Sequence, residues 1–130
     1  MRFIEHRAFS YLHVFSYSSR PGTKAASRPD RVSGAIIKRR ARELRALGET
    51  KSEEFRQSQI GRKLRVLTLR RDPKDHPGRT PSLSENYISV LIPEVLQPNE
   101  FLAVSVERAE GKHLVARPSQ PALVCAWGPL

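Results

Sequence analysis

A run of short strand-like segments in the C-terminal half constrains the fold more than any other feature. Apolar residues recur at strand spacing, and no helical pattern separates the segments. The segments are residues 63–71, 83–92, 101–107 and 113–117. Glu110 and Gly111 predict a hairpin turn before the last one. Four short strands in so little chain predict a small antiparallel β-barrel of the OB-like kind.

Proline and glycine mark where this barrel is interrupted and where it ends. Residues 71–81 contain Pro73, Pro77, Gly78 and Pro81, which predict a long loop between the first two strands. Residues 118–130 hold three prolines among scattered apolar residues. We predict that this tail is disordered.

Ahead of the barrel, the sequence from Ser33 to about Ser58 predicts a basic helix. It is rich in helix formers, contains no proline and begins with Ser33 as a candidate N-cap. Gly48 predicts a kink or a break into two helices, and Gly61 is placed to end the helix. An apolar stripe at helical spacing consists of Ile37, Ala41, Leu44, Leu47 and Phe55.

Near the N-terminus, residues 9–17 read Phe-Ser-Tyr-Leu-His-Val-Phe-Ser-Tyr. Aromatic and branched residues without glycine or proline predict one strand, buried on both faces. Residues 19–31 form a predicted loop, and no second strand follows before the helix. Because a single strand is not stable alone, its pairing partner has to lie elsewhere.

Charge indicates the class of partner. The chain carries 23 Lys and Arg against 13 Asp and Glu, a net charge of +10. Residues 1–80 hold 20 of these cations against 8 carboxylates, whereas residues 81–130 hold 3 against 5. The imbalance predicts an anionic partner bound by the first two thirds of the chain. A highly charged helix exposed to solvent, with no partner, is the alternative.

The sequence contains little that would support catalysis by this chain alone. The four histidines, at positions 6, 13, 76 and 113, show no metal-ligand spacing, and His13 is expected to be a core residue. No nucleophile elbow or P-loop is present. We therefore predict a binding module with no catalytic residue and no metal ligand. The single cysteine, Cys125, excludes an intramolecular disulfide and favours a reducing compartment, the cytoplasm. No apolar run reaches membrane-spanning length, so no membrane partner is expected.

Three ordered blocks carry a family resemblance. They read YLHVFSYSSRPGTKAA, VSGAIIKRRARELRAL and FRQSQIGRKLRVL. Together they resemble the C-terminal region of the radical-SAM tRNA methylthiotransferases, in the branch that acts on threonylcarbamoyl-adenosine beside the anticodon. The resemblance implies an α+β chain: the last strand of a radical-SAM α/β barrel with one or two helices, followed by an OB-like antiparallel barrel called the TRAM domain. The implied segments are 1–31, 32–61, 62–117 and the tail 118–130.

The resemblance also implies that something is missing. The family holds a 4Fe-4S cluster on a Cys-x3-Cys-x2-Cys motif, a second cluster on further cysteines, and S-adenosylmethionine. A chain with one cysteine cannot build either cluster. We therefore expect a C-terminal fragment that holds no cofactor and is inactive alone. The family's Ser-Pro-Arg-Pro-Gly-Thr loop reads Ser-Ser-Arg-Pro-Gly-Thr at residues 18–23. By family position, Arg20 lies near the cofactor or substrate.

The expected partner is tRNA, at its anticodon stem-loop. Candidate phosphate contacts are Lys38, Arg39, Arg42 and Arg45 on the helix, and Arg62, Lys63, Arg65, Arg70 and Arg71 on and after the first barrel strand. The helical cations have the alternative of a solvated face. Tyr87 either stacks on a base or fills the barrel core, and the sequence leaves both open.

Two functional hypotheses follow. In the first, the chain is the tRNA-binding part of a methylthiotransferase that acts on C2 of threonylcarbamoyl-adenosine, and supplies no chemistry itself. In the second, it is a free-standing RNA-binding module. A separate catalytic half, or self-association through the N-terminal strand, are further expected partners.

Overall fold

The computed structural model describes residues 2–72 and 74–119, which fall into two compact units, one ending at Phe55 and one starting at Arg56. The first unit contains a short helix and most of a long one, and the second contains five strands. In chain order the elements are α1 (Arg2–Glu5), α2 (Gly34–Gln57), β1 (Lys63–Thr68), β2 (Thr80–Ser84), β3 (Ser89–Ile92), β4 (Phe101–Glu110) and β5 (His113–Pro118). A helix with a β-barrel confirms the predicted α+β class.

The five strands close into a barrel in the order β1-β2-β3-β5-β4. All neighbours are antiparallel except β3 and β5, which run parallel. The small barrel is confirmed, but the number of strands is five instead of four. A hairpin turn does precede the last strand, at residues 111–112, whereas Glu110, predicted as part of it, ends β4. The interior is packed with buried aliphatic side chains, among them Val66, Val90, Ile92, Val104 and Leu114. Burial of each contributes about 1.5–3 kcal/mol.

Strand β2 is the strand that the sequence did not predict, because the loop was expected to run to Pro81. Its inward positions are Thr80, Ser82 and Ser84, which carry hydroxyl groups instead of apolar side chains. Thr80 Oγ1 donates to Glu94 O at 2.7 Å, and Ser82 Oγ donates to Val90 O at 3.0 Å. Since each buried hydroxyl has a backbone partner, a polar strand is stable in this core.

The predicted single strand at residues 83–92 is wrong in the same region. A turn at residues 85–88 divides it into the end of β2 and the whole of β3. Tyr87 lies in this turn at a φ of 61°, in the left-handed region. The turn contains neither glycine nor proline, so the apolar run through it resembled one continuous strand.

Helix α2 is continuous over 24 residues, so the predicted break into two helices at Gly48 is wrong. Ser33 caps it as expected: Ile36 N donates to Ser33 Oγ at 3.4 Å. Gly48 is instead a point of close approach, because a Cβ there would lie 3.2 Å from Leu12 Cβ. The predicted apolar stripe is buried or half-buried throughout, and Gly61, at a φ of 81°, is the last residue of the turn after the helix.

Residues 9–17 do not form the predicted strand. In the described part of the chain, residues 10–19 make no backbone–backbone hydrogen bond. Leu12 and Val14 are half-buried while Tyr11, Phe15 and Tyr17 are exposed, so burial on both faces is also wrong. A strand exists only with a neighbour to pair with, and the described chain supplies none. The predicted tail, from residue 120 onward, lies outside the described residues, and Pro118 ends β5.

Candidate nucleic-acid interface

The outer face of β1 carries the first group of predicted phosphate contacts. Side chains alternate along a strand, so Leu64, Val66 and Thr68 point into the barrel while Lys63 and Arg65 are exposed. Arg62 precedes the strand and is also exposed. The barrel therefore displays a short row of cations on one strand.

Phe101 adds an aromatic ring to this face. It pairs with Leu67 across β1 and β4, which makes Arg65 its diagonal neighbour. The Arg65 guanidinium lies over the Phe101 ring, 4.6 Å from the ring centroid, and Phe101 remains 64% exposed. An exposed ring and a flat guanidinium are both surfaces on which a nucleobase stacks. We call Lys63, Arg65 and Phe101 the β1 platform.

Phe101 is not among the contacts predicted from the sequence, although the sequence contains a signal for it. The alternation of Leu102, Val104 and Val106 places these residues on the inner side of β4 and Phe101 on the opposite side. An aromatic residue on the outer face of a barrel strand is a candidate for binding.

Tyr87 stands on a turn held by a buried polar network. Asn86 Nδ2 donates to Oε1 of the buried Gln59 at 3.1 Å, and Ile88 N donates to Ser84 Oγ at 2.9 Å. Tyr87 itself is 81% exposed, so it does not fill the barrel core. The turn adjoins the platform, because Glu85 N donates to Arg65 O at 3.0 Å.

Ion pairing distinguishes this face from the face formed by β4 and β5. There, Arg108 binds Glu110 at 3.0 Å and Arg117 binds Glu107 at 3.0 Å, and Arg79, from just before β2, also binds Glu110 at 2.7 Å. The hydrogen bond from Arg79, then that from Arg108, hold the pKa of Glu110 below its ordinary value. Within residues 2–72 and 74–119, none of the cations of β1 or Arg62 makes an ion pair. These cations are therefore available to phosphates.

The remaining predicted contacts lie elsewhere. Arg70 is exposed and Arg71 half-buried where the chain leaves β1, at the opposite end of the strand from Arg62. On α2, the four cations that were predicted as phosphate contacts are all exposed: Lys38, Arg39, Arg42 and Arg45. Arg39 lies 3.8 Å from Glu43, and Arg45 Nη2 donates to Val14 O at 3.4 Å. Within the barrel unit, the structure places Arg62, Lys63 and Arg65 of the predicted set next to one another.

Arg20 lies in an exposed turn. Thr23 Oγ1 donates to Arg20 O at 2.9 Å, and Gly22 has a φ of 81° that the turn requires. These are backbone contacts, so the turn geometry does not depend on the Arg20 side chain. Its role near a cofactor stays a prediction.

The donor set of the chain does not fit an iron–sulfur cluster. Such clusters are held by several thiolates, and the sequence has one cysteine, Cys125, outside the described residues. The described ranges also contain no group of three His, Cys, Asp or Glu side chains arranged for a metal ion. Nor does any described helix have the length and apolar character needed to cross a bilayer.

The fold and this face define a class of protein: a small closed barrel, preceded by a basic helix, with a cationic and aromatic outer surface. Comparison with known proteins identifies relatives. The chain is 31% identical, over 89% of its length, to tRNA-2-methylthio-N(6)-dimethylallyladenosine synthase of Paenarthrobacter aurescens. It is 34% identical, over 68%, to threonylcarbamoyladenosine tRNA methylthiotransferase MtaB of Aquifex aeolicus. It is 32% identical, over 88%, to ribosomal protein uS12 methylthiotransferase RimO of Myxococcus xanthus.

These relatives are tRNA and ribosomal-protein methylthiotransferases. The chain spans about a quarter of their length, 24%, 20% and 25% respectively. No protein-family model matches it. The similarity therefore supports the general resemblance to methylthiotransferases, without singling out the threonylcarbamoyl-adenosine branch.

Proposed function

We propose that the chain binds tRNA through the β1 platform and corresponds to the substrate-binding C-terminal part of a cytoplasmic tRNA methylthiotransferase. The observation that carries the proposal is the unpaired Lys63 and Arg65 beside the exposed Phe101. Cations attract the phosphate backbone, and the ring offers a stacking surface for an unpaired base. Tyr87, on the adjoining turn, is a second stacking residue in this proposal.

The proposal assigns no chemistry to this chain alone. The radical-SAM reaction of the family that the chain resembles needs iron–sulfur clusters, which a single cysteine cannot hold. Chemistry would then require a separate catalytic half that supplies the clusters and S-adenosylmethionine. Among substrates, we propose the anticodon stem-loop with threonylcarbamoyl-adenosine. The alternative, favoured by the closed barrel, is a free-standing RNA-binding module with no catalytic partner.

The test is a titration of fluorescently labelled tRNA at several salt concentrations. Affinity should fall steeply as salt rises, because phosphate contacts release counterions. Arg65→Gln should reduce the salt slope by about 1. Phe101→Ala should cost about 1–3 kcal/mol of binding free energy with little change in slope. Arg117→Gln is the matched control, since it removes the same charge from a residue already paired with Glu107.

Equal effects of Arg65→Gln and Arg117→Gln would show that binding follows net charge and not the platform. Stem-loops carrying threonylcarbamoyl-adenosine, dimethylallyl-adenosine or plain adenosine separate the finer proposals. Tighter binding of the stem-loop that carries threonylcarbamoyl-adenosine supports the assignment to the threonylcarbamoyl-adenosine branch. Equal binding to all three, and to unrelated hairpins, favours the free-standing module.

A further inference from the structure

Residues 9–17 have a sequence symmetry that the proposed RNA binding does not use. Read from either end toward His13, the segment gives an aromatic residue, serine, an aromatic residue and an aliphatic residue. The matched positions are Phe9 with Tyr17, Ser10 with Ser16, Tyr11 with Phe15, and Leu12 with Val14.

The side chains of the segment alternate in burial, as they do in an extended chain. Leu12 is half-buried and faces Gly48 of α2. On the other side, the rings of Tyr11 and His13 lie 5.0 Å apart, and those of His13 and Phe15 lie 6.3 Å apart. Phe15 is 87% exposed. The alternation is that of a strand, with one face covered and an aromatic face open.

One backbone edge of the segment is also open. In an extended chain, the N–H and C=O groups of alternate residues point to opposite edges. The edge with the groups of Leu12 and Val14 is engaged by Arg45, which donates to Val14 O. The opposite edge presents the groups of Tyr11, His13 and Phe15, which have no backbone partner in the described chain. Such an edge is a template for another strand.

We propose that this edge pairs with the same segment of a second copy of the chain, antiparallel and centred on His13. A two-fold axis at His13 places Tyr11 opposite Phe15 of the second copy, and Leu12 opposite its Val14. Aromatic residues then meet aromatic residues and aliphatic residues meet aliphatic ones, which stabilises antiparallel pairs. About six backbone hydrogen bonds form from three residues of each copy.

The symmetry is the reason to choose a second copy over an unrelated strand. An unrelated strand would place its own residues opposite those of the segment. The mirror symmetry of the segment would then have no effect on the pairing. Two-fold self-pairing places each residue opposite its mirror-related residue in the second copy, so that one sequence has to satisfy both strands. The central residue then meets itself, and His13 alone has no counterpart in the segment.

A charge-exchange experiment tests both the association and its register. One variant carries Tyr11→Glu and Phe15→Glu, and the other carries Tyr11→Lys and Phe15→Lys. In each alone, like charges face each other, and self-association should weaken roughly tenfold or more. In an equimolar mixture, every Glu faces a Lys, and association between the two should return. Val95→Lys, an exposed apolar position in the barrel unit, is the control and should leave self-association unchanged.

The measurement is sedimentation velocity of the full chain from micromolar to sub-millimolar concentration, with one variant labelled in the mixture. Far-ultraviolet circular dichroism establishes that the variants are folded. A wild-type chain that stays monomeric over this range overturns the proposal. A dimer unaffected by either double variant does so too, and a mixture that fails to associate rejects the register.

Discussion

At the scale of single residues, His113 shows how the surroundings set chemical behaviour. Its Nδ1 lies 2.9 Å from Ser89 Oγ, and its ring lies 5.2 Å from that of His76. Burial, and then the charge of His76, hold the pKa of His113 below its ordinary value, with a smaller contribution from Arg56. Glu110 acts in the opposite direction. The protonated form is therefore disfavoured in the folded barrel.

This environment predicts a loss of stability in mild acid. As pH falls through the ordinary histidine range, the unfolded chain binds the proton before the folded chain does. The contribution of His113 to the free energy of unfolding is therefore fully present above that range. It decreases as the pH falls, until the pH is below the pKa of His113 in the folded chain. His113→Gln should make this decrease smaller, measured as the urea midpoint between about pH 7.5 and 5.5. His6→Gln, at an exposed position just after α1, is the control, and an identical decline in all three proteins would contradict the prediction.

Phe101 and Tyr87 illustrate a second property of single residues. Both are large aromatic side chains that would be buried in most positions of a small domain. Here the outward register of β4 exposes the first, and a turn in which Tyr87 has a positive φ exposes the second. Exposed rings beside unpaired cations are the reason that the RNA-binding proposal centres on this face.

At the scale of elements, Gly48 affects the stability of α2 in two opposing ways. Glycine lowers helix stability by about 1 kcal/mol relative to alanine. It is accommodated here because a Cβ would lie 3.2 Å from Leu12 Cβ and 3.5 Å from two further Leu12 carbons. Removing the glycine therefore gains helix propensity and creates a close contact at the same time.

A double-mutant cycle separates these two effects. Gly48→Ala alone should change the free energy of unfolding little, because propensity and contact oppose each other. In a Leu12→Gly background, where the contacting carbons are absent, the same substitution should stabilise α2 by about 0.5–1 kcal/mol. Thermal unfolding followed by circular dichroism at 222 nm measures the change in stability in both backgrounds. The exposed Ala46→Gly should cost about 1 kcal/mol in either background. Equal gains from Gly48→Ala in both backgrounds would show that Leu12 does not restrict this position.

At the scale of the whole molecule, backbone pairing is unevenly distributed. Each strand of the closed barrel has two neighbours, so its amides are bonded within the sheet. Residues 10–19 have no backbone–backbone hydrogen bond in the described chain. The two compact units should therefore differ in how readily their backbones open.

Hydrogen exchange followed by mass spectrometry measures this difference. At low concentration, residues 10–19 should exchange almost freely while β1–β5 are protected. At high concentration, protection should increase in residues 10–19 alone, since self-pairing bonds only that edge. Equal protection of both regions at low concentration would mean that the segment already has a partner within its own chain.

The sequence by itself determined what depends on neighbours along the chain. Ser33 and the apolar stripe specify where α2 begins and which face it buries, because capping and helical periodicity act over a few residues. Period-two alternation specified the barrel class and the exposed side of β1, and the turn at Gly111 followed from turn chemistry. The excess of cations likewise required no structure.

Tertiary structure decided what depends on partners distant in sequence. Strand β2 exists because carbonyls of other segments accept from Thr80 and Ser82, which hydrophobic periodicity cannot reveal. Gly48 accommodates Leu12 instead of breaking a helix, a contact between residues 36 positions apart. Residues 9–17 have the composition of a strand but no partner to pair with in the described chain. Strand formation requires a second backbone, and no pattern within one segment can supply it.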